Sequence, residues 1–144
     1  MRAVWVVLVT GVCAAMIIGK LPPAVPALQQ ELGVTLVQAG FLLSLVQVAS
    51  LSLGLFLGLA SERLGLRCSM LAGLGLMSLA SFAGGWVESV TALLVLRAFE
   101  GLGFLLTSLS APAVLRRLVP PQRVTQVMGV WGAYVPFGTA LAML

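Results

Sequence analysis

Polar and charged positions are sparse and bunched along this chain, and the apolar runs between them are long. No charge falls within 3–19, 32–61, 68–87 or 124–144, and the run 89–115 is interrupted only by Arg97 and Glu100. About 20 mostly apolar residues cross a bilayer as a helix, and a buried helix of a soluble domain that long normally keeps a polar face. The pattern therefore predicts an all-α membrane protein, a single transmembrane domain of five spans at about 3–25, 35–59, 68–86, 91–115 and 124–144.

The polar breaks predict the connections. Pro22, Pro23 and Pro26 each remove a backbone donor, so the first span is expected to kink or end there, with 29–33 as a short connection. The turns at 61–67 and 116–123 are basic, whereas 87–90 carries only Glu88. Gly40, Ser44, Gln47, Gly54 and Gly58 form a small-residue stripe on the second span. Such stripes mark a face that packs on protein or lines a cavity. The opening Arg2 and apolar stretch resemble a signal peptide. No small-x-small cleavage site follows, so the segment is read as a retained first helix. A fifth span that stops at Leu144 suggests a piece of a longer protein.

Composition narrows the class further. The chain is 60% hydrophobic and only 8% charged, against roughly a quarter charged in soluble domains. Its net charge of +4 does not suggest nucleic acid, because the basic residues form no patch with interleaved aromatics. Arg2, Arg63, Arg67, Arg116, Arg117 and Arg123 instead fall at alternate ends of successive runs, with Lys20 toward the other side. Basic connections stay in the cytoplasm, which places the N-terminus inside. Cys13 and Cys68 lack metal-ligand spacing and are read as buried small hydrophobes. With no histidine and no aspartate, neither metal site, catalytic residue nor nucleophile motif is predicted. No cofactor is expected either.

Two motifs carry more. In Gly-Leu-Ala-Ser-Glu-Arg-Leu-Gly-Leu-Arg (58–67), Gly65 suits a tight turn requiring positive φ, and the arginines suit an inner loop. An ordinary orientation-setting loop would look the same. The stretch also resembles the second-to-third-helix signature of the major facilitator superfamily, G-x-L-A-D-R-x-G-R-K. Gly58, Arg63, Gly65 and Arg67 match it, Glu62 stands for aspartate, and Ala60, Ser61 and Leu66 depart from it. The segment from Arg97 to Gly103 is similar to the fourth-helix signature R-x-x-Q-G-x-G, with Arg97, Gly101 and Gly103 matching and Glu100 in place of glutamine.

The resemblance implies the truncated N-terminal half of a major-facilitator fold in a bacterial inner membrane, with lipid bilayer, a small-molecule substrate and the missing C-terminal half as partners. The combined wording of Gly-Lys-Leu-Pro-Pro-Ala-Val-Pro-Ala (19–27) and Arg-Ala-Phe-Glu-Gly-Leu-Gly-Phe (97–104) resembles that of bacterial facilitators near the cyanate and nitrate transporter branch. It further implies a secondary transporter working by alternating access, with Gly58, Glu62, Arg63, Gly65 and Arg67 as a cytoplasmic gate. Drug efflux is the alternative, weakened because the fifth span lacks the Gly-Pro pair of many drug antiporters. A non-transporting membrane scaffold is the alternative of another class.

Arg97 lies about 9 Å inside the membrane at about 1.5 Å per residue. Intramembrane charge is expensive and marks a functional or structural site facing protein. Glu100 is three positions on and can pair with it. Lys20 lies at a similar depth and either snorkels to the surface or faces the same interior as Arg97. In the second case Lys20, Arg97 and Glu100 leave one net positive charge, suited to an anion or carboxylate, with Glu100 as a candidate proton carrier. Gln47 and Tyr134 are further candidates to face substrate, although Trp131 and Tyr134 would equally serve helix packing.

Overall fold

The computed structural model describes residues 2–144, apart from the side chains at 49–51, 60, 62 and 64. Its elements are α1 (Arg2–Gly19), α2 (Leu21–Leu32), α3 (Leu36–Leu64), α4 (Leu66–Gly84), α5 (Val90–Leu118), α6 (Pro121–Gly132) and α7 (Tyr134–Met143). An all-helical bundle is what lipid demands of a polytopic chain of this kind, since each helix satisfies its own backbone polar groups. Among the described residues, four stretches are long and apolar enough to cross a membrane: Arg2–Leu32, Leu36–Leu59, Leu66–Gly84 and Val90–Leu118.

The prolines do not end the first span. Lys20 stays in the right-handed helical region (φ −65°, ψ −22°), and prolines occupy the first turn of α2, where a missing donor is tolerated. Helix therefore continues to Leu32, through most of the expected connection at 29–33. It closes where Gly33 turns left-handed (φ +64°) and the Val34 N–H donates to the Leu28 carbonyl at 3.4 Å, a Schellman-type stop. Thr35 then opens α3 with a reciprocal capping box. The Gln38 N–H donates to Thr35 Oγ1 at 3.2 Å, and the Thr35 N–H donates to Gln38 Oε1 at 2.9 Å.

The charged turn at 61–67 shrinks to one residue between two helices. Gly65 carries it at φ +89°, a backbone conformation that only glycine adopts cheaply. The fifth expected span is divided at Ala133, whose N–H donates to the Val130 carbonyl at 3.1 Å. Pro136 lies in the first turn of α7, so it cannot donate to the Gly132 carbonyl one turn back and a continuous α-helix is broken there.

Two apolar clusters hold the bundle. One gathers Val4, Val7, Met70, Ala111, Val114, Leu115 and Trp131, which joins the start of α1, the start of α4, the end of α5 and α6. The terminal turns of these elements carry Arg2, Arg67, Arg116, Arg117 and Arg123, with Arg63 in the last turn of α3 beside Gly65, so the arginines collect at one end. The second cluster, Leu21, Val34, Ala39 and Leu42, packs with Val90, Leu93 and Leu94 at the other end. Between them α4 and α5 meet backbone to backbone. A Cβ on Gly73 would lie 2.6 Å from the Gly103 carbonyl oxygen, and one on Gly103 would lie 2.5 Å from that of Gly73.

Two expectations about packing are corrected. The small-residue stripe on α3 meets no neighbour: a Cβ at Gly40, Gly54 or Gly58 would find nothing within 4 Å among the described residues. Helix α3 touches the bundle mainly through its other side, with Leu42 and Val46 buried. Cys13 and Cys68 are both free and exposed rather than buried. The outer surface is apolar, with Trp5, Phe56, Leu79, Phe82 and Trp86 prominent, as a surface covered by lipid or further protein must be.

Candidate functional site

The geometry of the site begins with the missing N–H of Pro22. In a regular helix residue 22 would donate to the carbonyl of Ile18, and proline cannot. Arg97, reaching across from α5, supplies that donor: its Nη2 bonds the Ile18 carbonyl oxygen at 2.9 Å. Nη1 approaches the Ile17 carbonyl at 3.5 Å, and Nε donates to the Leu42 carbonyl on α3 at 3.3 Å. One guanidinium thus ties α1, α3 and α5 together.

Its charge is met on its own helix. Glu100 lies three residues on, and Arg97 Nη1 donates to Glu100 Oε2 at 2.6 Å. The other carboxylate oxygen, Oε1, accepts from Lys20 Nζ at 2.7 Å. Lys20 also donates to Ser81 Oγ on α4. Glu100 is therefore gripped by two cations from two helices, and the three side chains sum to one positive charge. Burying an ion costs several kcal/mol, recovered only when its partners are well placed. Arg97 meets that condition, with four of its five N–H donors engaged.

The three members differ in access. The side chains of Arg97 and Glu100 are 4% and 5% exposed, and that of Lys20 is 42% exposed. Lys20 faces a cavity of about 200 Å³ whose wall includes Ser81, Gly84, Leu93, Arg97 and Glu100. An ammonium has three donors, and Glu100 and Ser81 take two, leaving one without a partner among the described residues.

Of the residues singled out from sequence, Lys20, Arg97 and Glu100 converge, with Gly101 buried beside them on α5. Gln47 does not join them: it is exposed on α3, beyond Leu42. Tyr134 is also elsewhere. It stacks on Trp131 with centroids 4.1 Å apart, lies 6.4 Å from the Phe104 ring, and its hydroxyl donates to Ser108 Oγ at 3.0 Å. Gly58, Arg63, Gly65 and Arg67 sit at the arginine-rich end, with Arg63 and Arg67 exposed. The side chain of Glu62 lies outside the described residues. Sequence reasoning missed Ser81, an unremarkable serine in an apolar run. It also missed the link from Pro22 to Arg97, although a proline one turn after a free carbonyl was a readable signal.

Comparison with known proteins identifies the family. The family model of the Major Facilitator Superfamily matches residues 7–144. A relative described as "Tetracenomycin C resistance and export protein", from Streptomyces glaucescens, is 34% identical over 120 residues, covering 80% of this chain and 21% of the relative. This chain thus spans about a fifth of the relative's length. No solved structure matches it. The chain belongs to the Major Facilitator Superfamily of membrane transporters, as an all-α integral membrane protein.

Proposed function

We propose that the chain forms the N-terminal portion of a secondary transporter that moves a small solute across a bacterial plasma membrane by alternating access, its Lys20 centre taking the acidic group of the cargo. The observation that carries this reading is the uneven access within the triad. Arg97 is spent on carbonyls and on Glu100, whereas the half-exposed Lys20 lines an open cavity with one donor unused among the described residues, and the centre holds an uncancelled positive charge. A volume of about 200 Å³ lies below the roughly 300–1,000 Å³ of sites for drug-sized ligands. It suits a small anion or the acidic end of a larger molecule.

In this reading the carboxylate of the cargo draws Lys20 away from Glu100, freeing one oxygen of Glu100 for a coupled proton. The arginine-rich end lies in the cytoplasm, because basic termini and short connections are retained there. Gly58, Glu62, Arg63, Gly65 and Arg67 form the cytoplasmic gate, closed against the remaining half of the transporter. Gln47 and Tyr134, away from the triad, are secondary candidates for contact with the body of the cargo.

A full-length transporter in proteoliposomes, screened with anionic, neutral and cationic solutes, tests the reading. Lys20→Met is expected to weaken binding of the anionic cargo about tenfold or more, from about 1.5–3 kcal/mol for a hydrogen bond to a charged group. Unchanged affinity would remove the acidic-cargo reading. Glu100→Gln is expected to uncouple transport from the proton gradient, and full coupling in that variant would remove the carrier role. Outward transport is supported by the relative's description as a resistance and export protein. Increased tolerance of tetracenomycin C in a sensitive host expressing the transporter would favour a shared cargo, and unaltered tolerance would count against it.

A further inference from the structure

A second cavity lies away from the charge centre, at the arginine-rich end, and of its wall the proposed function uses only Gly65 and Arg67, as members of the gate. It measures about 520 Å³, and Leu66, Arg67 and Cys68 of α4 face Val114, Arg117 and Leu118 of α5 across it. Arg67 and Arg117 are exposed, and neither is ion-paired among the described residues, whose salt bridges both belong to Glu100. Two exposed guanidiniums lining a partly apolar cavity can hold an anion of matching shape. Guanidinium forks fit phosphate oxygens in a bidentate manner.

A second groove of about 390 Å³ continues from this cavity. The two share Arg67, Val114 and Leu118, and the groove runs on between α1 and α4 past Val6, Val7, Met70 and Leu71. Its polar lining is slight, and Val6 and Leu71 are exposed apolar side chains. A basic pocket that opens into an apolar groove along two spanning helices has the form of an amphiphile. We propose that this site binds an anionic phospholipid, its phosphate on Arg67 and Arg117 and an acyl chain along Val6, Met70 and Leu71. Free phosphate would satisfy the arginines and leave the groove unused. Basic pockets between membrane helices on the cytoplasmic side are suited to anionic headgroups.

Cys68 in the wall supplies the readout. In a Cys13→Ser background it is the only thiol of this chain, so the full protein, with any other cysteine replaced, reports on this cavity by maleimide labelling. The rate is measured in nanodiscs of phosphatidylcholine alone, in the same discs with phosphatidylglycerol added, and in phosphatidylcholine discs with inorganic phosphate. Phosphatidylglycerol is expected to slow labelling about fivefold, the change expected of one basic contact with an anionic headgroup. Arg117→Gln should abolish that protection, whereas Arg117→Lys should retain part of it. A general effect of surface charge would persist in Arg117→Gln, and that result overturns the proposal. Equal protection by inorganic phosphate would identify a free-anion site instead. A rate indifferent to phosphatidylglycerol would mean that the groove is empty or filled by protein, and would overturn it as well.

Discussion

Replacing Arg97 by methionine is expected to cost about 3–5 kcal/mol of unfolding free energy, the range for breaking a buried charge pair from one side. Four hydrogen bonds disappear, and the Ile18 carbonyl loses the donor that stands in for Pro22. Individual hydrogen bonds between membrane helices are worth only about 0.6 kcal/mol on average, so the bonds to carbonyls alone would not reach that figure. The larger part comes from Glu100, left with a single, half-exposed cation. Arg97→Lys should recover the charge but not the reach to three helices, and should fall between. Denaturation in mixed micelles measures both. The specific assignment of Arg97 to the Pro22 gap is tested by a double-mutant cycle. Pro22→Ala restores an N–H that can bond the Ile18 carbonyl, so the loss at Arg97 should be smaller by about 0.5–1.5 kcal/mol in that background. Strictly additive effects would mean that Arg97 is not compensating for the proline.

The charge-free runs predicted helices, because lipid leaves a polytopic chain few other ways to satisfy its backbone, and among the described residues four stretches are long and apolar enough to span, the first of them built from α1 and α2. The site was half legible. Arg97 and Glu100 are three apart on one helix, so their pairing could be read directly. Lys20 meets Glu100 across 80 positions, and only matching depth in the membrane hinted at it. What failed did so for local reasons. The prolines predict a kink or an end to the first span: the helix divides at Lys20 and resumes as α2, because first-turn positions tolerate proline and a side chain from another helix can replace the missing donor. The stripe on α3 predicts a face that packs on protein or lines a cavity, yet periodicity gives a face and not its neighbour. That face is open in this chain. The cysteines were assigned by the habits of soluble cores, which do not apply where the outside is as apolar as the inside.

The second large effect is expected from two glycines on α4 that differ only in what they face. Gly73→Ala should destabilise the bundle by about 1–3 kcal/mol, the usual cost of overpacking, because its methyl would sit 2.6 Å from the Gly103 carbonyl oxygen. Backbone cannot step aside as a side chain can, so α4 and α5 must separate. Gly75→Ala, two residues on, meets nothing within 4 Å and should be neutral or stabilising by up to about 1 kcal/mol, since alanine favours helix over glycine. Opposite signs for the same chemical change isolate packing from helix propensity. The separation also reaches the charge centre: Ser81 is carried by α4, and Lys20 donates to it, so Gly73→Ala should weaken anionic cargo binding while Gly75→Ala leaves it intact. If the two variants melt alike, the backbones do not touch at Gly73 and Gly103. The placement of Ser81 beside Lys20 would then lose its support from below.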